Sequence, residues 1–250
     1  MPRFFVRKEQ IDDTIVHIHG DDAHHIARSL RMAVGERITV CDMQRTEYLC
    51  ELCSFDGERE VCARIISSQV MNTEPPFAAH LYQALPKGDK LDTVIQKAVE
   101  CGVASVTPFE SERCVVRCKP EQEEKRTERR RRIAAEAAKQ CGRGCIPEVL
   151  PTCDFDQMLR RAAAVDLPIF CYEGDDTVPL RTLLRPHLAQ LQGSTPSVSV
   201  VIGSEGGFSQ REAALAREMG FLMAGLGQRI LRTETASSFV LSALVYELEL

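Results

Sequence analysis

Several things are missing from this chain, and each absence narrows what it can be. No apolar run reaches the length of a membrane span, and no signal-peptide core follows Met1-Pro-Arg-Phe-Phe-Val-Arg-Lys. The expectation is a cytoplasmic protein with no membrane partner. Positive charge is not in excess: 31 Lys and Arg stand against 36 Asp and Glu, a net charge of −5. That argues against binding nucleic acid through bulk field alone. A Gly-Lys-Ser/Thr phosphate loop is absent, and Glu205 stands where a dinucleotide fingerprint needs glycine. Cys50 and Cys53 have Cys-x-x-Cys spacing, but no second such pair follows. Four tetrahedral ligands are therefore not in view, and no metal is expected. The eleven cysteines are odd in number and read as free thiols in a reducing compartment. There is no convincing nucleophile–base–acid triad, which leaves chemistry that needs no covalent intermediate.

What is present is ordinary globular composition, 44% hydrophobic and 27% charged over 250 residues, enough for one large or two modest domains. The first seventy or so residues read as short strands: Phe4 to Arg7, Thr14 to His19, Arg37 to Cys41, Glu47 to Cys53 and Val61 to Ile66. They suggest a small barrel. Between them Asp21 or Asp22 can cap a short helix with Ala23, Ile26, Ala27 and Leu30 inward. His24, Arg28 and Arg31 then share its wet face, as a solvated surface or as a phosphate contact. The two prolines of Asn72-Thr-Glu-Pro-Pro-Phe mark a linker, with one domain over 1–72 and another over 73–250.

Beyond the linker, strand and helix patterns alternate. Strands are expected at His80 to Ala84, Val103 to Pro108, just before Pro151, and at Leu167 to Cys171. Helices are expected from Asp89 to Gly102, from about Pro120 to Cys141, and from Asp154 to Ala164. Gly174-Asp-Asp-Thr-Val-Pro and Gln192-Gly-Ser-Thr-Pro read as loops. This order predicts a mostly parallel sheet covered by helices. Between Arg113 and Arg143, eleven Lys or Arg face five Glu. The densest run, Lys125 to Arg132, is a solvated helix face or a phosphate contact.

The stretch from Val198 to Leu248 organises the rest. Val198, Val200, Val201 and Ile202 form a buried strand, which ends in Gly203-Ser204-Glu205-Gly206-Gly207. Three glycines in five residues permit positive φ and close approach of a ligand to the backbone. Ser209 and Glu212 have capping-box spacing for a helix running to Met219, with Gly220 past its end. A second glycine turn follows at Gly225 and Gly227. From Thr235 a last helix places Ala236, Phe239, Val240, Ala243, Leu244 and Leu248 on one face. Two glycine turns at the carboxyl ends of βα units either reverse the chain or line a ligand crevice.

Ile202-Gly-Ser-Glu-Gly-Gly-Phe-Ser followed by Leu226-Gly-Gln-Arg-Ile-Leu-Arg-Thr-Glu-Thr-Ala resembles the C-terminal signature of a known family. It is that of the bacterial uridine-N3 methyltransferases of small-subunit (16S) ribosomal RNA, the E family of the SPOUT class. The likeness extends upstream through Gln140-Cys-Gly-Arg, Ser111-Glu-Arg-Cys, Ile95-Gln-Lys-Ala-Val-Glu-Cys-Gly and Leu85-Pro-Lys-Gly-Asp-Lys to His24-His-Ile-Ala-Arg-Ser-Leu-Arg. It covers nearly the whole chain. Ser204 departs from it, since the family usually has proline there; the glycines and Glu205 remain in place.

The resemblance implies an N-terminal PUA-like, OB-related barrel that holds RNA. An α/β domain with a parallel sheet and a C-terminal trefoil knot comes after it, a knot that no sequence pattern reveals. The resemblance implies S-adenosyl-L-methionine as cofactor, held by three loops carrying Tyr172 and Glu173, then Ile202, Gly203, Ser204, Glu205 and Gly206, then Leu226, Gly227, Ile230 and Leu231. Arg232 is expected to stabilise the uracil oxygens, with Glu205 or Glu234 accepting the N3 proton and Thr233 beside them. Glu234 can equally be a carboxylate at a helix N-terminus, and Thr233 and Thr235 can be caps. RNA contacts are expected from His24, Arg28, Arg31, Lys87, Arg113 and Arg143. A homodimer acting on an assembled small subunit is implied as well. Two rival readings stay open: a ribose 2′-O methyltransferase of the same class, and a non-catalytic RNA-binding assembly factor.

Overall fold

A computed structural model describes residues 1–174, 176–190 and 195–250, apart from the side chains of 188–190. The loops expected at 174–179 and 192–196 fall partly outside the described residues. The chain forms two compact units, Met1–Glu74 with Ala138–Ile146, and Pro75–Ala137 with Pro147–Leu250.

In the first unit, strands β1 (Arg3–Phe5), β2 (Ile15–His19), β3 (Arg37–Cys41), β4 (Thr46–Asp56) and β5 (Glu60–Val70) form one sheet. Their order is β1-β3-β4-β5-β2, antiparallel except for the β1–β3 pair. Alternation decides the faces: Val16 and Ile18, Ile38 and Val40, Cys50 and Leu52, and Val61 and Ala63 are all buried. Helix α1 (Gly20–His24) closes this core with Ala23, continuing through one wide turn, His25–Ser29, that adds Ile26. Asp21 and Asp22 sit inside the first turn, where the macrodipole favours them, and cap nothing; His19 is the cap residue. The extra residue in the wide turn rotates the chain beyond it off the core line, so Leu30 is 39% exposed instead of buried.

The second unit is built on an all-parallel sheet of β6 (Ala78–Ala84), β7 (Ser105–Glu110), β8 (Glu148–Val149), β9 (Cys153–Asp154), β10 (Leu167–Cys171), β11 (Val178–Pro179), β12 (Ser197–Ile202) and β13 (Leu222–Gly225). The order is β11-β13-β10-β12-β6-β7-β8, with β9 on β7. Its helices are α2 (Lys90–Glu100), α3 (Pro120–Cys141), α4 (Phe155–Ala162), α5 (Leu180–Gln190), α6 (Gln210–Glu218) and α7 (Thr233–Leu248). The apolar run of β12 has its reason here: it is a central strand buried on both faces. Since β13, β10 and β12 are adjacent and parallel, the three loops that leave them emerge along one edge. Beneath those loops Phe208 packs on Phe170, ring centroids 4.2 Å apart, and on Phe109 and Phe155.

Local chemistry sets the ends of these elements. Asp89 precedes α2 but makes no side-chain cap, whereas the Asp154 carboxylate accepts from the Gln157 amide to start α4. The capping box of α6 forms as its spacing predicts, and Glu212 does more than close it. This carboxylate is 1% exposed and accepts from the amides of Ser209 (2.9 Å) and Glu112 (2.7 Å). It therefore ties the loop after β7 to the start of α6. Glu212→Ala leaves two part-buried amides without their acceptor and removes the cap, for an expected loss of about 1–2 kcal/mol. Denaturant unfolding of the variant checks this. Helix α7 starts at Thr233, two residues before the expected Thr235. Its inward line is Ala236, Ser237, Val240, Leu241 and Leu244, while Phe239 is 45% exposed and belongs to the outer face.

Candidate active site

The loops after β10, β12 and β13 enclose one cleft of about 830 Å³, a size typical of small-molecule sites. Every cofactor residue named from the sequence lines it, from Tyr172 and Glu173 through Ile202 to Gly206 and on to Leu231. Arg113, Arg232 and Thr233 also line it, and Lys90 joins them without having been anticipated.

Backbone geometry explains the glycines. A Cβ on Gly203 would stand 3.1 Å from both the Gly207 Cα and the Phe208 ring, tighter than side chains normally sit, so a larger residue there must push the turn or the ring aside. Ser204 to Gly207 is a tight turn, closed by the Gly207 amide on the Ser204 carbonyl at 2.9 Å, with φ of +62° at Gly207. Arg113 holds it from outside, donating to the Gly206 carbonyl at 3.1 Å. In the third loop Gly227 adopts φ of +107°, a conformation L side chains avoid.

A buried clasp joins the second and third loops. The Thr233 hydroxyl donates to the Gly203 carbonyl at 2.6 Å and accepts from the Gln83 side-chain amide at 2.8 Å. Thr233 is 5% exposed and Gln83 fully buried. This occupies Thr233 as a brace between loops; it neither caps α7 nor presents a free hydroxyl. Sequence reasoning missed Gln83, because nothing local to β6 marks its far end as a partner of a residue 150 positions away.

The carboxylates differ in their surroundings. Glu205 accepts from Lys90 Nζ at 2.6 Å and from the Lys87 amide at 3.2 Å. Burial alone would raise its pKa, but the Lys90 ammonium and the backbone amides outweigh that and hold it below the usual carboxylate range. Glu234 lies in the first turn of α7; its buried Oε2 is 3.9 Å from Lys90 Nζ and accepts no hydrogen bond. The Ser204 hydroxyl is also buried without a partner. Among the described residues the Arg232 side chain makes no ion pair or hydrogen bond, and it lines the cleft at the entry to α7. A glycine cradle, buried polar atoms lacking partners, apolar Leu226 and Leu231, and one uncommitted guanidinium suit a mixed polar and apolar ligand that is charged in part.

The basic residues sort themselves by burial. Arg143 is 5% exposed and paired with Glu74 at 2.6 Å inside the first unit, so it is corrected from an RNA contact to a structural ion pair. The basic run of α3 is largely spent internally: Arg129 pairs with Asp92, Arg130 is buried against Glu123 and Thr152, and Arg131 reaches the Val149 carbonyl. Those partners favour the structural helix face over phosphate contact. His24 and Arg28 are exposed and share Glu58, while Arg31 is exposed with φ of +52°. Lys87 offers its backbone amide to Glu205.

Comparison with known proteins supplies the family. A family described as RNA methyltransferase domain matches residues 73–245, and one described as RNA methyltransferase PUA domain matches residues 18–65. Ribosomal RNA small subunit methyltransferase E of Bacillus subtilis is 35% identical, covering 100% of this chain and 98% of the relative. A putative methyltransferase from Legionella pneumophila, solved in complex with bound cofactor SAM, superposes with a TM-score of 0.85 at 33% identity over 98% of this chain and 97% of that one. Ribosomal RNA small subunit methyltransferase E from Neisseria gonorrhoeae, bound to S-adenosyl methionine, gives 0.83 at 28% identity over 99% and 98%. With a PUA unit ahead of a parallel-sheet methyltransferase unit, this chain belongs to the ribosomal RNA small subunit methyltransferase E family.

Proposed function

We propose that this chain transfers the methyl group of S-adenosylmethionine to N3 of a uridine in 16S ribosomal RNA. The observation that carries the reading is the cleft itself: three glycine-shaped loops on one sheet edge, clasped by Thr233 and Gln83, with an uncommitted Arg232 at the entry to α7. The cofactor supplies a methyl carbon activated by a positive sulfur. Support for the cofactor comes from the two relatives solved with it and from the fit of the cleft.

The protein's own part is positioning, proton removal and charge stabilisation. The methyl–sulfur bond breaks as a carbon–N3 bond forms, and the N3 proton must leave. Glu234 is the better acceptor, because Lys90 and the amides already satisfy Glu205 and weaken it as a base. Arg232 faces the negative charge that develops on the uracil oxygens. Glu205 and Thr233 shape the loop. Domain 1–72 holds RNA through His24, Arg28 and Arg31, domain 73–250 carries the knot and the chemistry, and Arg113 and Lys87 stand on the latter's RNA side. The substrate is the assembled small subunit, and the setting is the cytoplasm; no helix among the described residues is long and apolar enough to cross a membrane.

Calorimetry tests the binding half. One S-adenosylmethionine per chain should bind without RNA, and Gly203→Val should abolish that binding while the fold persists. A wild-type chain that binds RNA but no cofactor would be the assembly factor instead. The outer face of α7, with Phe239 and Tyr246 exposed, supports a homodimer. A monomeric mass in solution at about micromolar concentration would contradict it.

A further inference from the structure

On the solvent side of the first unit's sheet, a second chemistry is assembled that methyl transfer does not use. Alternation along β2 and β5 points Val16, Ile18, Val61 and Ala63 inward and leaves His17 and Cys62 outward as direct cross-strand partners. Glu60, two residues before Cys62, shares that face. The ligand atoms of the three lie within 4.8 Å of one another. His17 Nδ1 is 2.7 Å from Glu60 Oε1, and the Cys62 sulfur is 3.7 Å from each.

A register shift in β4 between Leu52 and Ser54 leaves Cys53 as an extra residue. That irregularity turns Cys53 to the exposed side, and its thiol donates to the Cys62 carbonyl at 3.2 Å. The Cys-x-x-Cys spacing of Cys50 and Cys53 is thereby broken, since Cys50 lies in the core. The cysteine that Cys53 approaches is Cys62, on the next strand.

We propose that His17, Glu60 and Cys62 form a Zn²⁺ site, with a water as fourth ligand. The donor set decides the metal. One imidazole, one thiolate and one carboxylate is a borderline-soft combination that suits zinc, whereas Mg²⁺ and Ca²⁺ take oxygen ligands. For Zn–S near 2.3 Å and Zn–N near 2.0 Å, a tetrahedron places sulfur about 3.5 Å from nitrogen. The 3.7 Å sulfur separations are already close to that, and only the His17–Glu60 hydrogen bond has to open. The side chains of His17 and Glu60 are 39% and 33% exposed, so an ion can reach them. On binding, the Cys62 thiol gives its proton to solvent as the zinc–sulfur bond forms. The ion ties the edge strand β2, and with it the start of α1 carrying His24, to β5.

Co²⁺, a spectroscopic stand-in for zinc, gives the test on the reduced, chelator-treated full chain. One equivalent should bind with a thiolate-to-cobalt charge-transfer band and tetrahedral ligand-field bands, all removed by added Zn²⁺. Cys62→Ser should lose the charge-transfer band, and His17→Gln should weaken binding by at least about tenfold. His17 is surface-exposed, so the second variant keeps the test decisive where the first folds poorly. No Co²⁺ uptake by the wild type would overturn the proposal. So would a charge-transfer band that persists in Cys62→Ser, since it would belong to another of the eleven thiols.

Discussion

Arg232→Ala is expected to slow methyl transfer about 100- to 1,000-fold, the cost of removing one charge-stabilising donor from a preorganised site. Cofactor affinity should stay within about twofold, because the loops that shape the cleft are held by Thr233, Gln83 and Arg113 and not by Arg232. The split between kcat and cofactor affinity carries the information. A structural guanidinium would have partners, and among the described residues Arg232 has none at its side chain. Arg232→Lys keeps the charge but loses the planar fork, and should recover only part of the rate. Parallel loss of cofactor affinity and rate would instead make Arg232 a support for the third loop.

The second large effect lies in the first unit. The Arg143 and Glu74 side chains are each 6% exposed, and Glu74 also accepts from the Gly144 amide at 2.8 Å. Removing one partner strands a buried charge, so Arg143→Leu should destabilise this unit by about 3–5 kcal/mol. Glu74→Leu with Arg143→Met, an apolar pair, should recover much of that. Hydrogen exchange at the β4 and β5 amides reads this unit separately from the other.

The same pair sets an acid limit. Burial would raise the Glu74 pKa, but Arg143 and the amide of Gly144 outweigh it and leave it lowered. The folded state therefore gives up this proton more readily than the unfolded chain. Its contribution is present above the ordinary glutamate pKa of about 4.3 and is lost as pH falls through the folded value. In the apolar pair that part of the acid sensitivity should vanish.

The residues show why some of this was legible in the sequence and some was not. The apolar run of β12, the capping box at Ser209 and Glu212, and the glycine turns are local signals, and each appears where its spacing places it. The loop motifs came through likeness to a family, since glycines alone do not distinguish a ligand crevice from a chain reversal. What stayed hidden depends on partners far along the chain. Gln83 meets Thr233, Glu212 meets Glu112, and His17 meets Cys62, at separations of 150, 100 and 45 residues. Arg143 was misread for the same reason: a guanidinium beside a glycine turn suggests phosphate, and its burial against Glu74 exists only in the folded unit.

One measurement tests the central claim most directly. Small subunits from cells lacking this gene are incubated with the purified protein and labelled S-adenosylmethionine, then digested to nucleosides for mass spectrometry. The account predicts a single labelled product, N3-methyluridine, formed by the wild type and nearly lost with Arg232→Ala. A 2′-O-methylated nucleoside, or no labelled product from a protein that binds the cofactor, would contradict it.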